Sequence, residues 1–277
     1  MSRSIIPAAD PPSGDSGSDG AIETILKRDR IVIIVALVVL SLVSWGYLFY
    51  DEWRMRTTGS CCKLAEVDLR HWLSLDLLLL FVMWSIMMVA MMAPTAAPMV
   101  LTFASVNRRR RQSQKPYVST GFFLLGYLLA WTLFSAAATA AQWALHGAAL
   151  LSPTMVSTSA ALGAGILIAA GIFQLTPLKN MCLSHCRDPL SFIMTEWREG
   201  GRGAILMGLR HGGFCLGCCW ILMLLLFVTG VMNLLWVGII TVFVLLEKIA
   251  PAPRWISRIS GLAMIAWGLW ILKPLIH

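Results

Sequence analysis

A chain of 277 residues that is 58% hydrophobic and only 13% charged carries more apolar surface than a soluble core of its size can bury. With several uncharged runs near the ~20 residues that cross a bilayer, this excludes an ordinary soluble domain and predicts an all-α polytopic membrane protein. The net charge of +8 is then a matter of loop placement, and no nucleic-acid partner is expected.

Residues 1–26 are rich in Ser, Gly, Asp and Pro and predict a disordered cytoplasmic tail. The remainder, 27–277, reads as one transmembrane helical bundle. Its apolar runs predict seven spans, at about 31–50, 75–103, 121–145, 157–175, 204–228, 232–248 and 256–272. Lys27, Arg28 and Arg30 precede the first span, while Trp45, Tyr47 and Tyr50 close it as an interfacial belt. The 51–74 loop that follows holds Cys61, Cys62 and His71, whose role the sequence leaves open. Directly after span two comes Arg108-Arg-Arg-Arg111, the strongest orientation signal in the chain. It places that loop in the cytoplasm, together with the basic segments 176–203 and 248–258. The 146–156 and 229–233 turns carry no Lys or Arg and fall outside. The N-terminus is then cytoplasmic, in a multi-pass protein of the inner (plasma) membrane. The 51–74 loop fits this scheme less cleanly, because it mixes Arg54, Arg56, Lys63 and Arg70 with acids.

Three constellations can carry chemistry. In span five, Gly208 to Trp220 reads GLRHGGFCLGCCW. His211, Cys215 and Cys218 fall within roughly 60° of one helix face, with Cys219 at its edge. Gly213 and Gly217 lie on the other side, where a small-residue pair admits a neighbouring helix. A lone Cys in such a helix is most often a small packing hydrophobe, but several thiols with an imidazole suit a soft metal ion. Arg210 at the same depth strengthens the reading, since ionisable groups within a span mark sites. The second constellation is Cys182, His185 and Cys186, in the polar 176–203 loop. It is expected to fold back beneath span five and join His211, Cys215 and Cys218. The third is the Met run of span two: Met83, Met87, Met88, Met91 and Met92, ending at Pro94. Met stripes usually pack, yet thioethers also bind Cu(I), and Pro94 removes the helical partner of the Ala90 carbonyl. Glu247, at the inner end of span six, is either a ligand or an interfacial ion pair in which Lys248 snorkels nearby.

These motifs resemble a bacterial family of integral membrane proteins known as an uncharacterised domain with predicted metal binding. The resemblance covers about 75–272 and rests on Met91-Met-Ala-Pro94, Gln174-Leu-Thr-Pro-Leu-Lys179 and Cys182-Leu-Ser-His-Cys-Arg187. It continues through Trp197-Arg-Glu-Gly200, Gly208-Leu-Arg-His-Gly212, Cys215-Leu-Gly-Cys-Cys-Trp220 and Glu247-Lys248. It implies metal binding and no established reaction.

The expected cargo or cofactor is a metal ion, copper(I) ahead of zinc(II), because thiolate, imidazole and thioether donors suit soft ions. The expected role is transport or metalloenzyme assembly, with a metal donor or recipient protein and the lipid bilayer as partners. The alternatives are a membrane thiol–disulfide oxidoreductase and an integral-membrane metalloenzyme with an open coordination position.

Overall fold

The computed structural model describes residues 16–58, 74–112, 118–147, 160–231 and 233–276, and every element in them is helical. Residues 1–15 of the expected tail, Cys61, Cys62, His71 and His277 lie outside the described residues. In chain order the helices are α1 (Ser16–Thr58), α2 (Ser74–Gln112), α3 (Thr120–Gly147), α4 (Ala160–Leu175) and α5 (Pro177–Arg187). They continue as α6 (Pro189–Glu196), α7 (Gly200–Leu224), α8 (Leu226–Thr229), α9 (Leu234–Ile249) and α10 (Pro253–Ile276).

Five helical stretches are long and apolar enough to cross a membrane: Arg30–Arg54, Leu75–Arg110, Thr120–Leu145, Gly200–Thr229 and Pro253–Pro274. A sixth arises if α4 and α5, bent by 65°, count as one broken span. The remaining expected span, the sixth at 232–248, is α9, which has 16 residues and extends only ~24 Å. The described helices therefore supply five or six of the seven.

Two segments differ from the sequence expectation. Residues 16–26 belong to α1 rather than to a disordered tail. Ala21 to Leu26 contains no Gly or Pro, so nothing there stops a helix propagating back from the apolar run. The polar 176–203 stretch is not a loop but mostly two short helices. Thr176 caps α5, its hydroxyl accepting from the Lys179 N–H at 3.3 Å, with Pro177 in the first turn. Asp188 caps α6 in the same way, accepting from the Ser191 N–H at 3.1 Å ahead of Pro189. Each Thr-Pro or Asp-Pro pair supplies a cap and a preset φ, enough to restart a helix straight after a break.

Burial places α7 at the centre: 56% of its most apolar window is inside, against 17% for α1 and for α10. The α3 and α7 pair runs backbone to backbone. A methyl group at Gly208 would meet the Phe123 carbonyl carbon at 2.9 Å, and one at Gly126 would meet the Leu209 amide nitrogen at 2.9 Å. The small residues that admit α3 are thus Gly208 and Gly212, not the expected Gly213 and Gly217. Gly213 faces open space. On the flank, α4 packs along α10, with Gly171 and Gly261 in close apposition.

The basic segments share one end of the bundle. Arg110 pairs with Glu199 at 2.5 Å and lies 4.5 Å over the Trp197 ring, joining the end of α2 to the start of α7. Arg187 donates to the Glu247 carbonyl at 3.1 Å, bringing α5 to the end of α9. At the other end, the Trp84 indole donates to Gln142 Oε1 at 2.6 Å.

Candidate metal centre

Cys215 sits fully buried in α7, and polar groups from α3 and α9 reach its sulfur. Lys248 of α9 donates from Nζ to Cys215 Sγ at 3.0 Å and to Thr95 Oγ1 of α2 at 2.8 Å. From α3, the Tyr127 hydroxyl lies 3.3 Å from Cys215 Sγ and donates to the Met92 carbonyl at 3.2 Å. The Cys218 and Cys219 thiols, one turn on, both donate to the Cys215 carbonyl, at 3.1 and 2.9 Å. Their backward lean is the ordinary direction of helical side chains, so Cys-x-x-Cys-Cys folds its sulfurs toward its own first residue.

The second thiol pair arrives on α5, which packs against α7. Cys182 and Cys186 stand four apart on one face of α5, the spacing that puts two side chains in line. Cys186 faces Cys215 and Cys218, near enough for the three thiols to interact. Cys182 rests on Gly217, where an added methyl would lie 2.7 Å from its sulfur. So Gly217 does admit a neighbour, but the neighbour is a cysteine. Cys182 and Cys186 are half-buried, while Cys215, Cys218 and Cys219 are buried, and all five are free thiols.

The other expected ligands have close partners of their own. His185 is exposed, stacks on Phe214 with ring centroids 4.4 Å apart, and engages the Met181 carbonyl through Nδ1 at 2.9 Å. His211 is buried in a cage of Phe123, Tyr127 and Phe192, with centroids at 6.1, 5.7 and 5.5 Å and Nδ1 without a partner among the described residues. Glu247 is committed to Lys179 at 2.5 Å and to the Ser257 hydroxyl at 2.8 Å, in a pair almost sealed from solvent. Arg210 is exposed and pairs with Glu196. Met91 and Met92 are fully buried, and Met92 Sδ lies 4.0 Å from Thr95 Oγ1, the hydroxyl that accepts from Lys248. The α2 helix stays continuous through Pro94 and Pro98.

Among the described residues no group of three or more His, Cys, Asp or Glu side chains is arranged to hold a metal ion. What converges is a set of soft sulfurs in pairs, with an ammonium, a phenol and a hydroxyl around Cys215. Lys248, Thr95 and Tyr127 were not evident from sequence as parts of a site. Lys248 alone left a signal, since a Lys in the Glu247-Lys248 pair has a second place to go once Glu247 is engaged.

No curated protein and no solved structure matches the chain. Residues 81–271 match the model of a family described as PpoB2, a copper chaperone. That match takes in α3 to α9 entire and most of α2 and α10. With the Cys, Met and Lys residues around Cys215 all inside it, the chain belongs to the PpoB2 copper chaperone family.

Proposed function

We propose that this chain is a multi-pass inner-membrane protein that binds Cu(I) through its thiol cluster and hands it to a recipient metalloprotein. The observation that carries this reading is the meeting of two half-buried thiols, Cys182 and Cys186, with three buried ones, Cys215, Cys218 and Cys219. A monovalent soft ion needs only a pair of thiolates at a time, and paired sulfurs are what α5 and α7 present. Cys182 is the outermost sulfur and serves as the entry. Cys186 with Cys215 holds the ion, and Met92 offers a thioether behind it. A d¹⁰ Zn(II) ion prefers four donors, for which the described residues make no arrangement. The hydroxyl and ammonium neighbours position sulfur rather than bind substrate, which favours carriage over turnover.

The membrane placement rests on the five apolar helices, with α4–α5 and the short α9 completing seven spans. The arginines gathered at one end support a reading in which that end, and the N-terminus, face the cytoplasm. Copper would then enter from the cytoplasmic face through Cys182.

The test is Cu(I) loading of detergent-purified protein, read by competition with a chromophoric Cu(I) chelator. Stoichiometric binding that Cys215→Ser abolishes is the expected result. Full loading of that variant would overturn the assignment. The contact between Cys186 and Cys215 also favours a second reading, thiol–disulfide exchange. A protein that binds no Cu(I) but titrates as a reversible dithiol would establish it.

A further inference from the structure

Lys248 is a cation placed where a cation is to be bound. Its Nζ lies 3.0 Å from Cys215 Sγ and is held there by Thr95 Oγ1 at 2.8 Å. A lysine near the end of a short helix ordinarily extends toward water. Here the chain turns inward instead, and its neighbour Glu247 does not claim it, because the Glu247 carboxylate is occupied by Lys179 and Ser257. The Lys179–Glu247 pair is neutral as a unit. Lys248 is therefore the unbalanced charge at the thiols.

We infer that Lys248 is the specificity-determining residue of the metal site, selecting a monovalent ion over a divalent one by charge balance; this rests on the Cu(I) reading above. Metal-bound cysteines are thiolates. A Cu(I) ion held by the Cys186 and Cys215 thiolates carries one net negative charge, and the Lys248 ammonium cancels it. The same two thiolates around Zn(II) make a neutral complex, to which Lys248 adds an uncompensated positive charge. In a buried, weakly polarisable surrounding a net charge is costly, so the first arrangement is favoured over the second. A third thiolate would reverse the count for Zn(II), and Cys218 is near enough to be the candidate, but no group of three such donors is arranged to hold an ion among the described residues. Coordination does not displace Lys248, since a metal-bound sulfur keeps lone pairs that accept a hydrogen bond. Lys248 thus acts as an outer-shell partner of Cys215, a class whose loss typically changes metal affinity by about 10–100-fold.

The experiment compares wild type, Lys248→Met and Lys248→Arg, purified in detergent and checked for unchanged helical content. Cu(I) affinity is measured by bathocuproine disulfonate competition, and Zn(II) affinity by a zinc-chelating dye. In Lys248→Met the Cu(I) affinity falls by about 10–100-fold while Zn(II) affinity holds or rises, so the preference collapses. Lys248→Arg, which keeps the charge, retains most of the preference. Should Lys248→Met lose its fold, Lys248→Gln takes its place, with the same result expected. A Cu(I)-to-Zn(II) preference unchanged by the loss of charge, or equal weakening of both ions, overturns the inference. Wild type that binds no Cu(I) overturns the functional reading and this inference together. Cys215-dependent Cu(I) binding with an unchanged preference overturns the inference alone.

Discussion

The Trp45 indole N–H donates to the Ala90 carbonyl at 3.2 Å, and Ala90 is the residue whose helical acceptor role Pro94 cancels. Proline has no N–H to offer four residues back. In an apolar surrounding a free carbonyl is expensive, and α1 supplies the missing donor from 45 residues away. The bond pins α1 to α2 directly before Met91 and Met92, so the backbone that presents Met92 to Tyr127 is fixed from both sides.

Trp45→Phe therefore removes one donor and leaves the Ala90 carbonyl unpaired. The expected loss of stability is about 1–3 kcal/mol, read by detergent or thermal unfolding. In a Pro94→Ala background residue 94 regains its N–H, and the same Trp45 change costs clearly less. Equal costs in both backgrounds would show that the indole bond does not serve the proline gap.

Much of this architecture is legible in the sequence, and the parts that are not share a cause. Apolar runs mark α1, α2, α3, α7 and α10, each carrying a stretch long and apolar enough to cross a bilayer. The gap opened by Pro94 is legible too, but not the donor that fills it, since a Trp on another helix is indistinguishable from an interfacial Trp. The Gly208–Gly212 face was invisible because α7 has glycines on both sides. Gly126 of α3 decides which side is used. The Cys182–Cys186 pair was legible as a soft-donor pair. Its placement on a helix depended on Thr176 and Pro177, whose capping role is easily taken for a turn. The inward direction of Lys248 is not legible either, since a lysine beside a glutamate reads as its ion-pair partner, whereas Glu247 is engaged by Lys179 and Lys248 bonds Cys215. Single-helix patterns thus reveal the elements, while the choice among partners is made between helices.

The buried Lys179–Glu247 pair makes an asymmetric prediction. Glu247→Leu leaves the Lys179 ammonium without a counter-charge and costs about 3–5 kcal/mol, measured by unfolding of the purified protein. Removing both charges, as Lys179→Met with Glu247→Leu, recovers most of that loss. If Glu247 were instead a metal ligand, the double variant would lose Cu(I) loading; retained loading is expected, because Glu247 Oε1 is turned to Lys179 and Ser257.

His211 offers a test of the imidazoles. Its ring is already packed as an aromatic among Phe123, Tyr127 and Phe192, and its Nδ1 has no partner among the described residues. An unpaired buried polar atom is a cost, so an apolar ring of similar shape is neutral or stabilising. His211→Phe should unfold no earlier than wild type and should keep its Cu(I) stoichiometry. Loss of the metal with the fold intact would return His211 to the ligand set.

Gly217 governs how closely the outer thiol approaches the inner ones. A methyl at this position would lie 2.7 Å from Cys182 Sγ and 3.4 Å from its Cβ. The first separation is well inside contact distance, so Gly217→Ala forces the Cys182 side chain outward along α5. The sulfur is the tip of a short side chain, and the displacement is small enough for α5 to stay on α7. Cys215 keeps its bonds to Lys248 and Tyr127, because an added methyl at Gly217 meets only Cys182 among the described residues. Two measurements then separate entry from holding. Cys182, already half-buried rather than sealed, should react faster with a maleimide in Gly217→Ala than in wild type. The rate of Cu(I) loading should fall several-fold, while the equilibrium affinity set by Cys186 and Cys215 changes little. A variant that loads at the wild-type rate would remove Cys182 from the path and leave it as packing over Gly217.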